Sequence, residues 1–315
     1  MMDKLIVSSS PHITGNATTR RIMLDVIIAL LPASIASVVL FGPICLAIIA
    51  LSIISAVASE FICRKIMKRD NTIGDLSAVV TGILLALNLP AIPDALWLAP
   101  LGSAIAIIVV KQFFGGIGHN FANPAIVGRI VLMMSFAGIM AQWPAPLAWL
   151  KSADAVAIST PLSGGEMPNV TNLLLGVRGG CLGETCAAAL VIGLIYLCIR
   201  RVITPLIPLV FCGTTVLSCW AFSGFDANPL DILLSGGLLL GSIFMATDYV
   251  TSPSTRGGKI IFAIGCGLIT ALIRSFGSLP EGVSFSILVM NILSPLLDNM
   301  FKTKPFGANK KEACK

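Results

Sequence analysis

The 315 residues are 56% hydrophobic and only 11% charged, with a net charge of +6. A mean hydropathy of +0.94 excludes an ordinary soluble domain and places most of the chain in lipid. The basic excess does not indicate nucleic acid, because it is spread over several loops with no patch of interleaved aromatics.

The first twenty residues, "MMDKLIVSSSPHITGNATTR", lack the apolar core and small-residue cleavage site of a secretory signal. The first apolar span is therefore expected to be retained. Ten candidate spans follow, near 22–41, 44–63, 76–89, 95–110, 125–142, 185–199, 205–222, 232–247, 260–273 and 283–297. The first two are long enough to cross about 30 Å of hydrocarbon at about 1.5 Å per residue. The third, "LSAVVTGILLALNL", reaches only about 21 Å as a helix. Its counterpart "ILLSGGLLLGSIFMAT" carries Gly236, Gly237 and Gly241. Short, glycine-punctuated spans in matching places of two halves indicate interrupted helices that meet near the midplane. Weak likeness between "DLSAVVTGILLA" and "DILLSGGLLLGS" supports a duplication. Five spans per half would turn the second copy upside down, an inverted repeat. Gly82, Gly236, Gly237 and Gly241 read equally well as breaks and as close-packing positions.

If the N-terminus is cytoplasmic, 18 of the 21 Lys and Arg fall on the inner side. Lys151, Arg178 and Arg274 remain outside. This asymmetry sets both termini inside and the connection 143–183 outside. That connection divides the chain into a first repeat, 1–142, a polar loop, 143–183, and a second repeat with its tail, 184–315.

Within the spans, Asp25 stands four residues after Arg21 and Glu60 four before Arg64, spacings that permit pairing on one helical face. Asp248 and Asn88 are candidates to line a midplane cavity. The nine cysteines are scattered, without a CxxC, and His12 and His119 stand far apart. A metal site is not expected, and most cysteines read as small buried hydrophobes.

The polar loop holds the chemistry. A structureless loop of this length is commonly functional. "NVT" at 169–171 fits a glycosylation acceptor on pattern alone. In "DAVAISTPL", Asp154 precedes Thr160 by six residues, and Pro161 biases Thr160 toward an extended backbone with its hydroxyl presented. No histidine lies nearby in sequence to act as base, so a catalytic hydroxyl is disfavoured and an acceptor of a covalent group is favoured.

This segment resembles the flavin-attachment motif in the large membrane subunits of the Rnf and sodium-pumping NADH:quinone oxidoreductase complexes. "VSSSPHI", "GGIGHNFANPAIVGR", "GSIFMATDYVTSPSTRGGKIIFAIGCG" and "IRSFGSLPEGVSFSILVMNILSPLLD" extend the likeness along the chain, in the order found in the RnfD proteins. The chain enters "TTRRIMLDVI" almost at once, which favours Rnf over its quinone-reducing cousin. Ala157, Ile158 and Ser159 depart from the small residues usual before the threonine.

The resemblance implies an all-α integral membrane protein of about ten helices in two inverted five-helix repeats, similar to urea channels. It implies FMN joined through its phosphate to Thr160, with Asp154 in the motif, Ser159 or Thr171 as reserve acceptors, and Arg178 or Lys151 beside the phosphate. A second, noncovalent flavin such as riboflavin is compatible with it. So are the A, B, C, E and G subunits of Rnf as partners, a flavin transferase during maturation, and a role relaying electrons from ferredoxin to NAD while Na⁺ or H⁺ is exported. The rival expectation is a cofactor-free channel or secondary transporter on the same architecture.

Overall fold

The computed structural model describes residues 18–150, 169–277 and 282–301. In chain order the helices are α1 (Thr19–Phe41), α2 (Ile44–Ile66), α3 (Ser77–Leu87), α4 (Ala95–Gln112), α5 (Pro124–Ser135) and the single turn α6 (Ala137–Met140). The short α7 (Val170–Leu175) leads to α8 (Ala187–Ile199) and α9 (Leu206–Phe222). Then come α10 (Pro229–Leu234), α11 (Leu238–Leu240, continued by the π-helical Gly241–Met245), α12 (Arg256–Phe276) and α13 (Val283–Met300). No strand element occurs among the described residues, and all ten expected spans are helical or broken-helical.

Local chemistry sets the ends. Thr18 caps α1 by accepting from Arg21 N, and the chain leaves α1 at Gly42, whose φ of +88° is costly for any other residue. Asn–Pro pairs start α5 and α10, with the asparagine oxygen accepting from the second amide of each helix and proline filling the first turn. Thr255 caps α12 in the same manner, through Gly258 N.

Among the described residues, five helices are long and apolar enough to cross a membrane by length and composition: α1, α2, α4, α12 and α13. The third and eighth spans are broken, as expected. At 11 residues, α3 reaches about 16 Å. The eighth span interrupts between α10 and α11, where Gly236 takes φ +65°. Gly82 and Gly241 are packing positions instead, because an added Cβ would meet the Ile53 backbone and Val283 respectively. Leucine, isoleucine and valine stand out on the periphery, among them Ile35, Val39, Ile54, Leu209, Leu217 and Leu296. Such a surface suits hydrocarbon and no aqueous phase.

Arg21, Arg64, Arg69, Arg200, Arg201, Arg256 and Lys259 gather at one end, the basic face. The α1–α2 turn and the 143–150 segment lie at the opposite end. The helices α9 and α12 pack along most of their length, as do α2 with α3 and α4, and α1 with α8.

Two basic residues expected in loops are interior. Lys111 is 2% exposed and Arg129 is 3% exposed, so neither is a topology signal. The connection 143–183 is also not a surface loop throughout. After α7 the chain turns inward, and Arg178 through Thr185 are all buried. Irregular backbone survives there because it is bonded: Leu182 N donates to Leu89 O at 3.0 Å and Gly183 N to Leu87 O at 2.7 Å.

Candidate functional site

Among the polar assemblies of the described residues inside the bundle, three bear on function. The first is built where α2, α3 and α4 meet near the basic face. Glu60, 1% exposed, accepts on Oε1 from Thr72 Oγ1, Lys111 Nζ and Gln112 Nε2, each at 3.0 Å. Lys111 reaches Oε2 at 3.0 Å as well and donates to Ser77 Oγ at 2.7 Å. Lys111 belongs to a π-helical stretch, Ala106–Gln112, a geometry that widens the turn and recurs at functional positions. The expected pairing of Glu60 with Arg64 does not occur; Arg64 donates to Asp70 O at 3.0 Å. Its guanidinium finds a carbonyl at its own helix end, leaving Glu60 to the lysine carried in by α4.

Lys111 also lines the second assembly, a cavity of about 90 Å³ between the two halves. Ser77, Thr81, Asn120, Asn123, Thr247, Asp248 and Tyr249 supply its other polar side chains. Asp248 therefore lines an interior cavity, one that reaches Ile22 and Tyr249 toward the basic face. Asn88 does not line it: its side-chain amide donates to Leu84 O and its oxygen accepts from Arg129.

The third assembly is the one that sequence reasoning missed. Arg129 on α5 donates from Nη1 to Asn88 Oδ1 and from Nη2 to Cys181 Sγ, the latter at 3.4 Å. Glu184 Oε1 accepts from Cys181 N at 2.9 Å. A Cβ on Gly237 would sit 3.0 Å from Glu184 Oε2 and 3.6 Å from Arg129 Nη1, so segments of both halves converge on one point. A signal for it exists in "GGCLGETC": a glutamate among small residues directly before an apolar span. Arg178, expected beside a flavin phosphate, is 4% exposed and donates from Nη2 to Glu184 O at 2.6 Å.

At the basic face Asp25 is paired, but not with Arg21. Arg200 Nε reaches Asp25 Oδ1 at 3.2 Å and Tyr196 Oη donates to the same oxygen at 3.0 Å. The packing of α8 against α1 brings Arg200 over the carboxylate, and the carboxylate raises the guanidinium pKa further above its ordinary value.

Asp154, Ser159, Thr160 and Lys151 lie outside the described residues. Their flanks are within them. Leu147 N donates to Leu40 O at 2.6 Å and Trp149 Nε1 to Val39 O at 3.2 Å. On the far flank, Gly176 packs so closely that an added Cβ would lie 2.8 Å from Leu40 Cδ1. The described flanks of 151–168 thus both touch the end of α1, opposite the basic face. Thr171, the reserve acceptor, is exposed on α7.

Comparison with known proteins covers nearly all of this chain. Residues 6–307 match the family model described as NQR2, RnfD, RnfE. The D subunit of the Na(+)-translocating ferredoxin:NAD(+) oxidoreductase complex of Acetobacterium woodii is 44% identical, with 97% of this chain and 96% of that protein covered. The D subunit of the proton-translocating complex of Clostridium ljungdahlii is 40% identical, at 96% coverage of each. The D subunit of an ion-translocating oxidoreductase complex from Stutzerimonas stutzeri is 37% identical, at 92% of each.

Proposed function

The chain belongs to the NQR2, RnfD, RnfE family, and from that premise we propose that it relays electrons through a covalently held flavin. It is a membrane subunit of an ion-translocating ferredoxin:NAD oxidoreductase complex, inactive by itself, and works with the A, B, C, E and G subunits of Rnf. Thr160, within the motif opened by Asp154, would hold FMN as a phosphoester of its hydroxyl once a flavin transferase has acted. FMN supplies chemistry that no side chain has, since it exchanges electrons singly or in pairs. This chain's residues supply the tether and its place.

The observation that carries the reading is the anchoring of 151–168. Its two flanks meet at Leu40, on the face opposite the basic residues. Flanks fixed at one place keep a group tethered between them at high effective concentration beside one membrane surface. With the basic face cytoplasmic, that surface is extracytoplasmic, both termini are cytoplasmic, and the protein resides in the cytoplasmic membrane of a prokaryote. The two halves form inverted five-helix repeats on a urea-channel-like plan. Arg178 is held inside the bundle, where it donates to Glu184 O, and takes no part in the tether. A second, noncovalent flavin such as riboflavin is included in this reading. The interior cavity of about 90 Å³ is smaller than a flavin ring system, so its binding there requires the cavity to widen.

The rival channel or transporter shares the interior cavity but finds no free carbonyls at Leu87 and Leu89. In broken-helix transporters, free carbonyls at the midplane coordinate the ion. Here Leu87 O and Leu89 O accept from Gly183 and Leu182, and Arg129 covers Asn88.

Denaturing electrophoresis of complex from a native host tests the reading. An ultraviolet-fluorescent band at the mass of this chain, lost in Thr160→Val, is expected. An unmodified intact mass in that native complex overturns it. Relatives named for Na⁺ and for protons are both close, so sodium-dependence of ferredoxin-driven NAD⁺ reduction in vesicles identifies the ion.

A further inference from the structure

Along the basic face, three adjoining depressions run from α1 to α12. The first, about 260 Å³, is lined by Arg21, Asp25, Arg200 and Arg201 among others. The second, about 250 Å³, shares Arg201 and Tyr249 with it and adds Lys259. The third and largest, about 530 Å³, shares Lys259 and Thr204 with the second and adds Arg256. Five cations thus line this groove against the single carboxylate of Asp25, which Arg200 already engages.

Loop cations that merely set orientation need no groove. This one has an apolar wall. Pro205 and, on α9, Leu206 and Leu209 line the largest depression, and Leu209 is 65% exposed on the side that faces hydrocarbon. Arg256 and Lys259, on the first turn of α12, stand at its polar end, and neither forms an ion pair among the described residues. Ser254 stands beside them. A nearby carboxylate among the described residues, Asp298, is held by Ser254 N at 2.9 Å and Ser254 Oγ at 3.0 Å. The start of α12 adds the positive end of a 21-residue helix to the two side chains.

A cationic end at the water boundary joined to an apolar wall in the hydrocarbon is complementary to one amphiphile. We propose that this groove binds an anionic phospholipid, its phosphate against Arg256 and Lys259 and its acyl chains along Leu206 and Leu209. The site lies across the bundle from the flavin loop and does not depend on the flavin. Basic recesses between helices at a membrane surface retain anionic headgroups because the charges act at short range in a poorly hydrated setting.

Native mass spectrometry of the detergent-purified complex, reconstituted first with phosphatidylglycerol or with phosphatidylcholine, tests the assignment on the released chain. Phosphatidylglycerol adducts are expected and phosphatidylcholine adducts are not. Arg256→Gln with Lys259→Gln lowers retention by about fivefold for each charge, or about twenty-five-fold for the pair. The charge-matched control Lys68→Gln with Arg69→Gln, outside the groove, leaves retention unchanged. Equal retention of the two lipids, or unchanged retention in the groove variant, overturns the proposal. Displacement of the lipid by millimolar inorganic phosphate alone overturns it in favour of a free-anion site. A chain released without lipid overturns it in favour of a neighbouring subunit covering the groove.

Discussion

Lys111 Nζ lies 3.0 Å from both carboxylate oxygens of Glu60, and the two side chains are 2% and 1% exposed. Desolvation of such a pair costs much of what its attraction returns, so its worth is seen when one partner is lost. Glu60→Gln leaves a buried ammonium opposite a neutral amide and is expected to destabilise the chain by about 3–5 kcal/mol. Glu60→Gln combined with Lys111→Met removes both charges and is expected to recover most of that loss. Thermal unfolding of the purified complex, followed by size-exclusion fluorescence, reads both. A double variant no better than the single one shows that the pair is held for more than its charge.

Arg129 spans two partners, Asn88 and Cys181, with two prongs of one planar fork. A lysine presents a single ammonium and cannot reach both. Arg129→Lys is therefore expected to behave like Arg129→Met, with loss of complex assembly in both. Full assembly and full ferredoxin-driven NAD⁺ reduction in Arg129→Lys would show that only the positive charge matters.

Gly183 lies against α3, where an added Cβ would come within 2.5 Å of Leu87 Cβ and 3.1 Å of Leu87 O. Gly183→Val should lift the inward-turning segment from the broken helix. Cys181, at 0% exposure, then becomes reactive. Peptide mapping after a membrane-permeant maleimide is expected to show Cys181 unlabelled in the parent chain and labelled in the variant. Labelling in both shows that the segment opens without the substitution.

Asp25→Asn and Arg200→Gln are each expected to lower the melting temperature, whereas Arg21→Gln is expected to leave it unchanged. Arg200 is 39% exposed, so the effect is small. An equal loss in Arg21→Gln would restore the pairing within α1 that the four-residue spacing suggests.

That last contrast shows where sequence reading stops. The ten spans are legible because apolar length and turn residues are local properties, and Asn–Pro and Thr caps mark helix starts within three residues. The loop carrying Asp154 and Thr160 is legible because a polar run inside an apolar chain needs a reason. Partnership is not legible. Spacing offers Arg21 to Asp25 and Arg64 to Glu60, but the fold selects Arg200, 175 residues away, and Lys111, 51 residues away. A helix face decides which side chains share a stripe; the packing of the neighbouring helix decides which of them meet. "GGCLGETC" misleads for a related reason. Its small and polar residues look like a surface connection, and only the distant acceptors Leu87 O and Leu89 O make its burial tolerable.

The bonds from Leu182 and Gly183 back to α3 have a bearing on biogenesis. Membrane insertion proceeds from the first residue onward, and the early half reaches the bilayer with two carbonyls of its broken helix exposed at depth. They meet these partners only after the ribosome has delivered residue 183, past the whole of 151–168. Until then the nascent protein carries an unfinished interior, and a chain stopped shortly before that point is a natural substrate for membrane quality control.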